Sequence, residues 1–345
     1  MRVLILTQKI DANDDLLGFF HGWVFEFSKH WEKITVIALG VGDCHLAENV
    51  KVLSLGKEAG GSKLIYLVRF YKYIWRERKN YDSVFVHMNQ EYAILGGLIW
   101  RLLGKKVMLW RNHQMGGFWA KIAVALSHIV FCTSQFAFVA RYKKTKLMPV
   151  GIDADFFKFH PEIKKTPGSV LFFGRISPIK RPDILIESLY LLKKGGINFI
   201  ASFVGDAPLR DAVYNEKIKQ KIEDYDLADC VKIVKGVPYL QAPKIYNQNE
   251  IFINLTNSGS LDKTILEAMA CESMVLVSNK TFEGVLPPDL IFQENSAADL
   301  AKKIGLILNL SEIEIQKRGR SFRDYVLENH SLDKLIFRLA GYLQN

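Results

Sequence analysis

Three cations crowd one short segment of this 345-residue chain. In VLFFGRISPIKRPDILIESLYLL, which begins at Val170, a hydrophobic run ends at Gly174, and Arg175, Lys180 and Arg181 follow in one loop. Such a cluster suits a diphosphate. A guanidinium offers a two-pronged fork of donors, and an ammonium neutralises oxygens as a leaving group gains charge. A basic loop that is merely solvated is the competing reading. In a second segment, NLTNSGSLDKTILEAMACESMVLVS from Asn254, a hydrophobic run opens into a small polar loop and then a short helix from about Thr264. Backbone N–H groups at a helix start form an anion site. Glu267 lies three residues into that helix, where a carboxylate can reach ribose hydroxyls. Thr264-x-x-Glu267 equally fits a capping box, in which the carboxylate only satisfies a backbone donor.

Both loops need strands to aim them. VLIL (3–6), ITVIAL (34–39), SVFVHM (83–88), KVMLW (106–110) and IVFCTS (129–134) read as strands, alternating with helical stretches such as Gly18–His30 and Leu64–Lys79. A second series follows: SVLFFG (169–174), FIASFVG (199–205), VKIVKG (231–236), EIFINL (250–255) and MVLVSN (274–279). Pro182 suits a first helical turn, Lys193–Gly196 an end, and Leu185, Leu189 and Leu192 an inward face. The alternation predicts an α/β chain of two Rossmann-like, doubly wound parallel sheets. The Pro-, Gly- and charge-rich stretch 148–168 is the boundary, giving domains of 1–155 and 156–330. Leu332, Leu335, Ile336, Leu339 and Leu343 share one helical face after a Ser331 cap. This terminal helix, about 331–345, is expected to pack back on the first domain. Two such sheets place a ligand in a cleft at the C-terminal ends of their strands.

Composition narrows the class. With 49% hydrophobic and 24% charged residues the chain is globular, and its length favours two domains. Cys44, Cys132, Cys230 and Cys271 form no CxxC pair, so neither a disulfide framework nor a zinc site is expected. MRVLILTQKI is too short for a signal peptide, and the longest apolar stretch, Tyr92 to Trp100, falls far below the roughly 20 residues of a membrane span. A cytoplasmic location is the expectation. TQKIDAND follows the first strand where a nicotinamide enzyme would carry GxGxxG, and no nucleic-acid-binding signature is present.

Taken together the segments resemble the retaining glycosyltransferases of family 4, which have the GT-B fold. FFGRISPIKRPDILIESL is similar to that family's strand, Gly-Arg, Lys and helix signature, FVGDAP to its strand–Gly turn, and VKGVPYLQAPKIYNQNEIFIN to its nucleotide-base segment. SGSLDKTILEAMACESMVLVS resembles the donor loop and helix, MPVGIDADFF the interdomain element, and TQKIDANDDLLGFFHGWVFEFSKH the opening of the acceptor domain. The resemblance implies a nucleotide-sugar donor, UDP- or GDP-linked, and a saccharide or lipid-linked acceptor in glycan or cell-surface polysaccharide synthesis. Arg175 and Lys180 would hold the diphosphate beside Gly174, and Glu267 the ribose. Gly205 and Val237 would line the nucleotide, and the backbone from Leu261 through Asp262 to Lys263 would face the phosphate and the transferred sugar. His113, in LWRNHQMGG, matches the histidine that contacts the donor sugar, with an ordinary loop histidine as the alternative. Asp15 and Gly18 fall on the acceptor side.

The family's first glutamate falls at position 259, which is Gly259 here, and Asp262 is the carboxylate left nearby; SGSLDK marks a variant of the loop. Glu272 stands where the family has glycine. Such enzymes react on one face of the sugar, the leaving phosphate helping to deprotonate the acceptor, so no nucleophile is needed. Neither a cofactor nor a metal is expected, since cations and the helix dipole neutralise the diphosphate. A nucleotide-sugar epimerase, a phosphorylase-like enzyme or a non-catalytic partner subunit could share the scaffold.

The net charge of +10 is uneven: residues 1–155 carry 21 Lys and Arg against 13 Asp and Glu, which is +8, leaving +2 for the rest. KLIYLVRFYKYIWRERK (63–79) mixes cations with aromatics, which suits peripheral contact with an anionic membrane. The alternative puts Leu64, Leu67, Val68, Tyr71 and Trp75 in the core, with the cations on a solvated face.

Overall fold

Successive side chains of a strand point to opposite faces, and the first strand of the computed structural model is apolar on both. In β1 (Arg2–Ile10), Leu4 and Leu6 join one core while Val3 and Ile5 join another. Strands buried on both faces belong to parallel sheets covered by helices on each side. The structure describes residues 1–258 and 261–344. It divides into two compact units: Met1–Gly151 with Pro238–Leu240 and Leu332–Asn345, and Ile152–Val237 with Gln241–Ser331.

In the first unit β1 is followed by α1 (Gly18–His30), β2 (Lys33–Val41), β3 (Val50–Ser54), α2 (Lys63–Arg76), β4 (Ser83–His87), α3 (Gln90–Leu102), β5 (Lys106–Trp110), α4 (Phe118–Leu126), β6 (Ile129–Cys132) and β7 (Thr145–Leu147). All pair in parallel in the order β3-β2-β1-β4-β5-β6-β7, so the order reverses between β1 and β4. Residues from α2, α3 and α4, including Phe70, Trp100 and Ala123, cover one face. Phe20, Trp23 and Phe27 of α1 cover the other, together with Leu332, Leu335, Ile336 and Leu339 of the terminal helix. Each fully buried Leu, Ile or Phe contributes about 1.5–3 kcal/mol relative to exposure.

The second unit runs β8 (Ser169–Phe173), α5 (Pro182–Lys194), β9 (Ile200–Val204), α6 (Ala212–Asp224), β10 (Val231–Val234), α7 (Ala242–Gln248), β11 (Ile251–Asn254), α8 (Lys263–Ala270), β12 (Met274–Val277), α9 (Ala297–Leu308) and α10 (Glu312–Asn329); α11 (Leu332–Gln344) belongs to the first. The order β10-β9-β8-β11-β12 is again parallel and reverses between β8 and β11. Pro182 opens α5, and Leu185, Leu189 and Leu192 are buried beneath it.

Two expectations are corrected. α8 begins at Lys263 and is capped by Asp262, whose side chain accepts from the Thr264 amide, so Thr264 is no cap and Glu267 serves no capping box. In α2 only Phe70 and Ile74 are buried; Leu64, Leu67, Val68, Tyr71 and Trp75 are exposed and do not form the core. The core reading failed because both faces of α2 carry apolar residues, and periodicity alone does not tell which face turns inward. β3 and β7, short sheet-edge strands, were not among those read from sequence. Glu272 is left-handed at φ +57°, which explains glycine as the ordinary occupant of that turn. Among the described residues, no helix is long and apolar enough to cross a membrane.

Candidate functional site

At the reversal point of the second sheet Gly174 follows β8, and Gly205 follows its neighbour β9. The ladder continues through both glycines: the Gly174 amide donates to the Val204 carbonyl at 3.0 Å and the Gly205 amide to the Val234 carbonyl at 2.9 Å. Their φ values of +151° and +149° lie where L side chains are strained. A Cβ on Gly205 would stand 2.1 Å from the Gly174 carbonyl oxygen, whereas one on Gly174 would meet nothing within 4 Å. The backbone is thus pinched at Gly205 and open at Gly174. Arg175 follows, half-buried, and makes no hydrogen bond or ion pair among the described residues. The Ser177 hydroxyl in the same loop is buried and unpartnered among those residues.

Lys180, by contrast, is firmly held. Its ammonium donates to Asp262 Oδ2 and, at 3.3 Å, to the Thr256 hydroxyl. The same carboxylate oxygen accepts from Thr256 Oγ1 and from Asn254 Nδ2, each at 3.0 Å. Oδ1 accepts from the Thr264 amide at 3.3 Å and its hydroxyl at 3.0 Å. Burial alone would raise the Asp262 carboxyl, but Lys180 and the Asn254 and Thr256 donors outweigh it and hold it well below the usual carboxylate range. Both oxygens are committed to the protein. Instead of leaving a carboxylate free for a sugar, Asp262 joins the loop after β8 to the start of α8.

Glu267 is buried one turn on. The Tyr246 hydroxyl, itself fully buried, donates to Oε2 at 3.2 Å, and the Lys263 ammonium lies 3.9 Å from Oε1. Burial pushes the Glu267 carboxyl above its ordinary range against the pull of Lys263, and the same burial lowers the Lys263 ammonium. Leu261 is half-buried just before the helix. Val237 is half-buried in the loop past β10, whose Gly236 amide donates to Asp206 at 3.2 Å. Gly259 lies outside the described residues. The structure therefore gathers Gly174, Arg175, Lys180, Gly205, Asp262, Lys263 and Glu267 at the strand ends and the first turns of α8.

In the first unit, His113 is exposed past β5, and its Nδ1 accepts from the Met115 amide at 3.0 Å. The loop is held by Arg111, a buried cation that donates to Gln90 Oε1 at 2.9 Å, the His113 carbonyl at 3.1 Å and the Met115 carbonyl at 2.7 Å. Gly18 opens α1, and a Cβ there would come within 2.7 Å of the Tyr239 Cβ. Asp15 is exposed in the preceding turn, where Asp14 Oδ1 accepts from the Leu16 and Leu17 amides. Arg111, Tyr246, Asn254 and Thr256 were not singled out from sequence. For the last two a signal existed: polar side chains immediately after a buried strand, within a loop already suspected. Among the described residues no group of three or more His, Cys, Asp or Glu could hold a metal ion.

Residues 153–321 match the family described as Glycosyl transferases group 1. Over 151 residues, 41% of this chain, the sequence is 27% identical to a D-inositol 3-phosphate glycosyltransferase of Segniliparus rotundus; the match spans 33% of that relative, so the chain covers about a third of its length. Among solved structures, Anabaena HepE in complex with UDP is similar over 100% of both chains, at a TM-score of 0.79 and 18% identity. Sucrose-phosphate synthase from Thermosynechococcus elongatus is similar over 100% of this chain and 98% of its own, at 0.80 and 15%. At these identities the likeness is one of fold, and the fold is GT-B.

Proposed function

From a Glycosyl transferases group 1 domain spanning residues 153–321, we propose that this chain is a retaining glycosyltransferase that moves a sugar from a nucleoside diphosphate to a saccharide or lipid-linked acceptor in glycan synthesis. The observation that carries the reading is the reversal point of the second sheet. There an Arg175 without a partner among the described residues, a braced Lys180 and the N-terminus of α8 stand around open backbone at Gly174. Arg175 and Lys180 bind the diphosphate, and the helix terminus adds its partial positive charge as the leaving group separates. Glu267 accepts from the ribose hydroxyls, and His113 contacts the transferred sugar. Gly205, Val237, Leu261 and Lys263 contribute backbone to the donor site, and Asp15 and Gly18 belong to the acceptor side.

The donor proposed is a UDP-sugar, because the structural neighbour from Anabaena is solved with UDP and with UDP-glucose. The leaving phosphate takes the acceptor proton on the face it departs from, so the reaction requires neither a protein nucleophile nor a metal. Thermal-shift titration with UDP-, GDP- and ADP-sugars, followed by transfer assays with the donor that binds, tests the reading. A shift with one nucleotide class is expected, and it is lost in the double variant Arg175→Ala, Lys180→Ala. Donor affinity unchanged in that variant would remove the phosphate assignment.

A further inference from the structure

Helices α2 and α3 turn apolar side chains outward as well as inward. The inner face of α2 carries Phe70 and Ile74, with Tyr66 and Tyr73 packed beside them. Its outer stripe recurs every three or four residues: Leu64, Val68, Tyr71 and Trp75 are 69%, 59%, 36% and 56% exposed. α3 repeats the arrangement. Tyr92, Ala93 and Trp100 are buried, while Leu95, Leu98 and Leu102 are 37%, 61% and 79% exposed. The Tyr71 hydroxyl donates to the Leu95 carbonyl at 3.2 Å, so the two stripes adjoin. A helix whose outer face meets only water carries polar residues there. An adjoining pair of apolar stripes marks a surface that something covers.

The charge around the stripes identifies what covers them. Lys63, Lys72, Arg76 and Lys79 lie on or beside α2, and Arg101 and Lys105 at the end of α3. Across residues 63–79 and 90–105 the only acids are Glu77 and Glu91. Glu77 is buried against Lys51 and Arg76, so it offers no negative charge to the face. Arg78 stacks over Trp75 at 4.4 Å, which brings a guanidinium along with the indole. An apolar stripe bearing Trp and ringed by cations fits the interface of an anionic bilayer. There, apolar side chains enter the headgroup boundary and the cations meet lipid phosphates.

We infer that the outer face of α2 and α3 docks on an anionic lipid surface. The inference is independent of the donor site, which lies in the other unit, and a failure of donor binding leaves it standing. The test is flotation of the full chain with vesicles of phosphatidylcholine alone or of equal parts phosphatidylcholine and phosphatidylglycerol, across a salt series. The chain floats with the anionic vesicles at low salt, and its tryptophan emission shifts to the blue. Lys63→Glu, Lys72→Glu, Lys79→Glu lowers vesicle affinity at least about tenfold. Leu98→Ser, Trp75→Ser abolishes the blue shift and the binding that survives moderate salt. All five positions are exposed, and melting temperatures equal to that of the wild type show that both variants fold. Absence of flotation at low salt, or flotation unchanged in both variants, overturns the inference. So does a twofold chain mass in solution that both variants return to one, because the face would then be an interface between copies.

Discussion

The Lys180 ammonium rests on Oδ2 of Asp262, the residue that caps α8, so the loop after β8 is tied to the helix that follows β11. One carboxylate thereby aims a cation at the strand ends and starts the helix beside it. Asp262→Ala removes a cap worth about 1 kcal/mol and leaves a largely buried ammonium without its counter-charge, for a combined loss of about 2–4 kcal/mol. Asp262→Asn keeps the capping oxygen and costs less. Denaturant unfolding of the two variants measures both, and a loss below about 1 kcal/mol in the alanine variant would contradict the bracing role. The acid limb follows from the depressed carboxyl. Its stabilisation is complete above the unfolded value near pH 4 and is lost as pH falls toward the folded one, so Asp262→Asn flattens that decline.

Arg175 gives the opposite pattern. With no protein partner among the described residues, its replacement by alanine is expected to leave the melting temperature of the free protein unchanged. Donor affinity is expected to fall about 10- to 100-fold, as for loss of one charge-assisted hydrogen bond. Isothermal titration with the donor, set beside thermal unfolding without it, separates the two effects. A destabilised Arg175→Ala protein would mean that the guanidinium braces the fold.

Glu267 links donor affinity to pH. Burial raises its carboxyl, so folding favours the protonated form; its contribution to stability falls as pH rises from the ordinary carboxylate value through the raised one. Only the ionised carboxylate accepts from two ribose hydroxyls without an O–H in the way. Across that window affinity is therefore expected to rise while stability falls. Glu267→Gln removes both trends and weakens donor binding about tenfold. Lys263→Met removes the neighbouring cation and moves the affinity limb to higher pH. Affinity that is level across the window in the wild type would show that Glu267 does not take up the ribose as an ion.

The parallel strands other than β3 and β7 were legible because each is an apolar run bounded by Gly, Pro or charge, and α1 and β5 have the bounds read from sequence. The cations of the donor loop were legible for the same reason, standing directly after such a run. Asp262 stands out in the sequence as the carboxylate near Gly259, but its bracing role does not. Of its partners, Asn254 and Thr256 lie in its own segment, but Lys180 comes from the loop after β8, and spacing within one segment cannot reveal a contact made between two strand ends. Arg111 was passed over because a lone arginine after a strand resembles any solvated one until its three acceptors are seen. The exposed stripe of α2 was hidden by the apolar residues on its other face.

The two glycines at the pinch are expected to respond unequally. Alanine at Gly205 combines a strained φ with a Cβ 2.1 Å from the Gly174 carbonyl oxygen, so the ladder between β8 and β9 must open. A loss of about 3–5 kcal/mol is expected, near the upper end for single substitutions. Alanine at Gly174 has the strain without the collision and costs about 1–3 kcal/mol. Its methyl group points into the open space where the diphosphate is proposed to sit, so donor affinity falls beyond what the stability change explains. Denaturation curves and donor titrations of both variants test the distinction, and equal stability losses would remove it.

Arg111 holds the His113 loop through one side-chain and two carbonyl acceptors, all met by a single guanidinium. Lysine has the charge but not the planar fork and cannot satisfy all three. Arg111→Lys is therefore expected to leave carbonyls of Met115 or His113 unpaired and to cost about 1–3 kcal/mol of stability. If His113 contacts the transferred sugar as proposed, the loosened loop also lowers kcat while donor KM, set by the nucleotide, stays near the wild-type value. His113→Ala should show the same kcat loss without the loss of stability, because among the described residues its exposed ring contributes only the Nδ1 contact to the Met115 amide. Unchanged turnover in His113→Ala would leave Arg111 as a structural brace and remove the histidine from the reaction.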